Sequence, residues 1–233
     1  LGYTGFPQSY IWLGTTHPML IREQLERTFA TGSRQVWIAN VGDIKPAEFL
    51  TQYFLDLAFD ARLLERAPYD YLRGWVATQF GEEHASEIAD ILTGYYNLAW
   101  ERRPEFMRIF NSLGLFSPIA SRSFVGKDGY QAQARLATYA DLVARAEKLV
   151  PLLGEQRRAS YFELVSYPLR SAANVNNLVL KLELAALYAS QKRAAAAVEA
   201  LRVVRVELDR GVEVLDRAVE VTLAAQHLAA VSV

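Results

Sequence analysis

The chain has 233 residues, 52% of them apolar and 12% aromatic, and balances 25 Lys and Arg against 26 Asp and Glu. Such a composition supports a sizeable core rather than disorder, and without a basic excess there is no electrostatic footprint for nucleic acid. Cysteine is absent, which removes disulfides, thiolate metal sites and cysteine nucleophiles.

In chain order, residues 1–17 are rich in Gly, Pro, Tyr and Trp, a loop-like stretch carrying Tyr3, Phe6, Tyr10 and Trp12. Pro18 opens a helix with Thr16 or His17 as its cap. Ile21, Leu25 and Phe29 give that helix an apolar face, and Gly32 ends it. The run Val36–Val41 is nearly all apolar and predicts a short strand buried on both faces, as in a parallel sheet. A charged loop follows with Asp43, Lys45 and Glu48, and then a helix to about Phe59 whose Phe49, Tyr53 and Leu57 share a face. This order is one α/β unit.

Beyond residue 60 the pattern is helical, near 69–80, 83–102, 104–113, 130–150, 155–190 and 194–230. Pro168 is expected to divide the fifth of these. Gly114–Gly129 reads as a connection, and Leu201, Leu208 and Leu215 mark a helical seam.

One strand does not make a sheet. The expected strand therefore needs partners before Leu1, and the N-terminus, without an initiator Met or a signal peptide, reads as a chain entered midway. In parallel α/β folds the site lies at the carboxyl ends of the strands. Asn40, Asp43, Lys45 and Glu48 occupy that place, and the aromatic loop with Tyr3, Tyr10 and Trp12 would line the same mouth. The competing reading is that the polar residues cap the next helix and form surface ion pairs, while the aromatics fill the core.

His17, His84 and His227 lie too far apart for a zinc motif. Gly2 and Gly5 lack phosphate-loop spacing, and no serine sits in an elbow-like context. Neither a metal nor an organic cofactor is implied. No apolar run reaches the roughly 18 residues of a membrane span.

Several segments resemble consecutive motifs of glycoside hydrolase family 115. They are Gly5–Trp12, Val36–Phe49 (with its Asn-Val-Gly-Asp-Ile-Lys-Pro run), Phe54–Ala58, Glu87–Leu92, Arg102–Glu105 and Tyr161–Asn174. Their order matches over residues 1–190. The resemblance implies an inverting hydrolase that removes glucuronic acid, or its 4-O-methyl form, from α-1,2 branches of xylan. It implies that residues 1–60 are the last units of a TIM-barrel catalytic domain and that residues 61–233 form an all-α helical bundle domain, the whole being a fragment of a multidomain protein. The family's helical domain helps form dimers, so a homodimer is expected, and polymeric glucuronoxylan as substrate implies a secreted or periplasmic protein. Gln8, Ile11 and Gly14 stand where the family often carries Arg, Lys and Asn, which points to an altered substrate mouth.

On this template Asn40 would hydrogen-bond sugar hydroxyls or the attacking water. Tyr3, Tyr10 and Trp12 would shape the pocket, and Lys45 would face the uronate carboxylate. Asp43 and Glu48 would support the site or transfer protons. Inversion needs two carboxyl groups about 6.5–9.5 Å apart, flanking the sugar. Asp43 and Glu48 follow the same strand, so at least one of the catalytic pair is expected outside this chain. Two other readings compete: a non-catalytic helical interaction module whose α/β start is only a connector, and a different sugar-active barrel enzyme.

Overall fold

The computed structural model describes residues 13–42, 44–104, 125 and 128–202. Seven α-helices are labelled in chain order: α1 (Pro18–Ala30), α2 (Glu48–Phe59), α3 (Pro68–Phe80), α4 (Ala85–Glu101), α5 (Tyr130–Leu149), α6 (Glu155–Tyr161) and α7 (Tyr167–Ser190). A short 3₁₀ turn, Ala61–Glu65, links α2 to α3, and the chain is helical again over residues 194–202. Among the described residues there is no strand. None of their helices is long and apolar enough to cross a membrane.

Local chemistry sets the helix ends. Pro18 occupies the first turn of α1, where its missing N–H costs nothing. His17 is the cap, its Nδ1 accepting from the Met19 N–H at 3.1 Å. At the other end Gly32 adopts φ +88°, the left-handed conformation that a side chain would oppose. The Gly32 N–H donates to Phe29 O and the Ser33 N–H to Thr28 O, satisfying two carbonyls of the last turn.

The main core joins α1 to α4 with one side of α5, the turn after α6 and the first half of α7. Phe49, Tyr53 and Leu57 of α2 all enter it, as their spacing requires. Phe49 stacks on Tyr53 and meets the edge of Trp75 at 5.2 Å between centroids. The Trp75 indole N–H is satisfied by Gln52 Oε1 at 3.0 Å. A smaller core joins the start of α5 to the second half of α7, through Leu136, Val179, Leu180 and Tyr188.

Between the two cores lies a polar tie. Arg135 is buried and donates to Asn176 Oδ1 on α7 (2.7 Å), to Glu101 Oε2 (3.2 Å) and to the Arg102 carbonyl (2.7 Å). Asn176 passes its own amide on to Ala172 O at 2.8 Å. Removing Arg135 would strand the Oδ1 of buried Asn176 without solvent, whereas the Glu101 side chain is 59% exposed.

One expectation needs correction, and a second is met in an unforeseen form. Val36–Val41 is not a buried strand: it belongs to no regular element, and Val36 and Ile38 are each 75% exposed. The alternation of a strand survives nonetheless, since Trp37 and Ala39 pack on the core between them. A strand acquires a ladder only from a neighbour, and no described segment supplies one. The expected division at Pro168 takes the form of a change in helix type: α6 and α7 are separate α-segments, and Pro168 stands in the first turn of α7. Residues Phe162–Ser166 widen into a π-turn, with the Tyr167 N–H bonded to Phe162 O. The wider turn accommodates a ring that would collide with the preceding α-helical turn.

Candidate functional site

A cavity of about 240 Å³ lies where the segment before α1, the segment 39–47 and α2 converge. Its walls include Leu13, Gly14, Thr15 and Thr16 on one side and Ala39–Gly42 on another, with Leu50, Thr51 and Phe54 as floor and Arg103 at the edge. Gly14 makes this geometry. A Cβ there would stand 2.5 Å from Pro46 O, so only glycine lets the two segments close on each other without displacement. The turn holding Pro46 is fixed by backbone bonds from Ala47 to Ile44 O and from Glu48 to Lys45 O.

Of the candidate catalytic and substrate-binding residues, Asn40 alone among the described ones lines this cavity, and Gly14, singled out as a departure from the family at the substrate mouth, lines it too. It is exposed, and its side chain makes no hydrogen bond with any described residue. Lys45 and Glu48 form a separate pair. The Lys45 ammonium donates to Glu48 Oε2 at 3.1 Å and lies 3.8 Å from Glu163 Oε2 on the π-turn. That hydrogen bond with Glu48 raises the Lys45 pKa above its usual value. Asp43, Tyr3, Tyr10 and Trp12 lie outside the described residues.

The described lining contains no carboxylate and one cation, Arg103. Arg103 had a signal in the sequence, the Arg-Arg-Pro-Glu run at the end of α4, but nothing in its spacing tied it to a cavity 60 residues earlier in the chain. An amide, threonine hydroxyls and a guanidinium over an apolar floor suit a ligand with hydroxyls, an apolar face and a negative charge. Among the described residues no three His, Asp or Glu side chains cluster as metal ligands.

Comparison with known proteins extends this picture. Residues 1–106 match the family model of glycosyl hydrolase family 115. Among solved structures the chain is similar to a family GH115 4-O-methyl-α-glucuronidase with specificity for decorated arabinogalactans, at 28% identity and a TM-score of 0.67. The likeness covers 88% of this chain and 27% of that one. No curated relative matches. Sequence over the first 106 residues and backbone geometry over most of the chain point the same way, to a likeness with glycosyl hydrolase family 115.

Proposed function

We propose that this chain is the part of an inverting α-glucuronidase that spans the end of its catalytic barrel, residues 1–60, and its helical domain, residues 61–233. The observation that carries the reading is the Asn40 cavity, which lies within the residues matching the family model and has Arg103 at its edge. The exposed apolar side chains of Val36 and Ile38 support the barrel assignment, because a segment with strand alternation and one uncovered face is built for neighbouring strands.

In this reading a glucuronic acid or 4-O-methylglucuronic acid branch enters the cavity with its ring over the apolar floor. Asn40 hydrogen-bonds a sugar hydroxyl or the attacking water. Arg103 faces the uronate carboxylate, a planar guanidinium being suited to that anion. Lys45, already held by Glu48, sets the conformation of the loop and adds positive potential. Tyr3, Tyr10 and Trp12 complete the wall. Hydrolysis breaks the bond between the anomeric carbon and the bridging oxygen: a carboxylic acid protonates the leaving oxygen while a carboxylate takes a proton from the water that forms the new C–O bond. Asp43 and Glu48 are the carboxylates this chain offers, and at least one member of the pair comes from the rest of the enzyme. The protein works outside the cytoplasm, where polymeric substrate is found, and pairs as a homodimer through its helical domain.

The test is Asn40→Ala in the full-length enzyme, assayed by uronic acid release from glucuronoxylan and from decorated arabinogalactan in parallel. We expect a loss of at least about a hundredfold in kcat/KM, comparable to the removal of one positioned hydrogen-bond donor. A folded variant with unchanged turnover on both polymers removes Asn40 from the site. Preference for arabinogalactan would align the substrate with that of the similar structure rather than with xylan. Complete inactivity of the native enzyme on both would favour the reading of a non-catalytic helical interaction module.

A further inference from the structure

A second concave surface borders the Asn40 cavity at Leu20, which lines both, and lies between the first turns of α1 and the end of α4. Its larger part has a volume of about 480 Å³ and is lined by His17, Arg22, Glu23, Glu26, Asn97 and Trp100, among others. A smaller depression of about 230 Å³, bordered by Tyr69 and Thr93, adjoins it and shares His17, Met19 and Asn97.

The groups in this groove are held in place. His17 caps α1 through Nδ1, which accepts from the Met19 N–H, so the ring carries its proton on Nε2. Nε2 lies 3.1 Å from Asn97 Oδ1 and donates to it. That bond fixes the orientation of the amide, because it leaves Nδ2 as the outward group. Asn97 Nδ2 makes no hydrogen bond with any described residue. Beside it the imidazole braces the Trp100 indole edge-on, with 6.0 Å between centroids. Trp100 is 59% exposed although it carries one of the largest apolar faces in the chain. A braced and exposed indole next to a fixed amide donor is an uncommon surface feature, since large aromatic side chains normally bury their faces.

Charge selects among ligands. Glu23 is engaged by Arg27 at 2.8 Å, and Arg22 donates its Nε to the Leu64 carbonyl at 2.6 Å. Glu26 makes no hydrogen bond or ion pair with a described residue. The groove thus presents two carboxylates, one of them unpaired, against a single guanidinium that is partly committed. Anions are disfavoured here, in contrast to the Arg103 edge of the Asn40 cavity. A ligand with hydroxyls to donate to Glu26 and accept from Asn97, and with a C–H face for Trp100, meets every group.

We propose that this groove is a second carbohydrate-binding surface, which takes neutral sugar residues of a polysaccharide with one pyranose ring laid on Trp100. The choice of ligand class rests on the glycosidase reading above, and the site adjoins the Asn40 cavity at Leu20 but shares none of its polar lining. It would hold backbone sugars while the charged branch is processed elsewhere.

The experiment uses the full-length protein with Trp100→Ala, Trp100→Phe and Asn97→Ala. Titration calorimetry measures binding of unsubstituted xylo- and galacto-oligosaccharides, and uronic acid release is followed on short and polymeric substrates. Trp100→Ala should weaken neutral oligosaccharide binding at least about tenfold. It should raise KM on the polymer while leaving kcat on short substrates unchanged. Trp100→Phe, which keeps an aromatic face, should retain most of the binding, and Asn97→Ala should lose several-fold. Equal affinities of native protein and folded Trp100→Ala, or no oligosaccharide binding by the native protein, overturn the proposal whatever the hydrolytic assay gives. Binding that depends on Trp100 in a protein without hydrolytic activity would sustain this surface and remove the glycosidase reading instead.

Discussion

The helices and the segment 33–47 are both rich in apolar residues, yet they treat them oppositely. Leu57, Ile88 and Val165 are fully buried in the helical core. Val36, Ile38 and Ile44 are largely exposed. A helix satisfies its own backbone and needs only a neighbour for its apolar stripe, whereas strand-like chain needs a neighbour for its backbone as well. The helices find their partners within the described residues. In the segment 33–42, Trp37 and Ala39 pack on the core and the Arg34 Nε donates to Phe29 O at 3.2 Å, while the Trp37 indole N–H donates within the segment to Ser33 O. Apolar content alone therefore does not decide burial; the availability of a partner does.

Three measurements sharpen or break this contrast. The largest effect is expected at Leu57, which has 0% exposure. Leu57→Ala should cost about 3 kcal/mol in urea unfolding, through lost burial and the cavity left behind. A cost below about 1 kcal/mol would show that α2 is not locked into the core.

Next comes Glu183, a polar group inside the helical region. It is 9% exposed, neither carboxylate oxygen has a hydrogen-bond partner among the described residues, and burial raises its pKa from 4.5 to about 7, an effect that Arg102 partly offsets. Because the folded value lies above the unfolded one, the folded state binds more protons between about pH 4.5 and 7. Its stability should accordingly fall as pH rises through that window, by on the order of 2 kcal/mol. Glu183→Gln should abolish the fall and be more stable than the native protein at pH 8. If unfolding curves of the two proteins run parallel from pH 4 to 8, the carboxylate has found solvent or a partner.

The smallest effect is expected at Ile38. Ile38→Ser should change the stability of this chain by less than about 0.5 kcal/mol. The same substitution in the full-length enzyme should cost several times more if the exposed face meets neighbouring strands, and equal costs in both would count against the barrel assignment.

Much of the helical fold is legible in the sequence because each signal acts locally. Pro18 and Gly32 bracket α1, and the spacing of Phe49, Tyr53 and Leu57 gives the face of α2. The patterns near 69–80, 83–102 and 130–150 correspond to α3, α4 and α5. The pattern near 104–113 and the seam of Leu201, Leu208 and Leu215 extend beyond the described residues. The run Val36–Val41 misled because hydrophobicity reports a tendency to be covered, not by what. The Arg135–Asn176 bond and the nearness of Arg103 to Asn40 join positions 41 and 63 residues apart, and no periodicity encodes such meetings. The pairing of Lys45 with Glu48 was compatible with a spacing of three, but the approach of Glu163 was not readable at all.

The π-turn at Phe162–Ser166 has a geometric effect on everything after it. One extra residue in a helical turn shifts all later side chains by about 100° around the axis. Before the shift the rod directs Tyr161 at Phe80, and α6 packs on α3; after it α7 lies along α5. A single continuous rod thereby serves two neighbours on different sides, without the loop that two separate helices would need. Deleting one residue here would spare the helix and misdirect the 24 residues of α7 as a body.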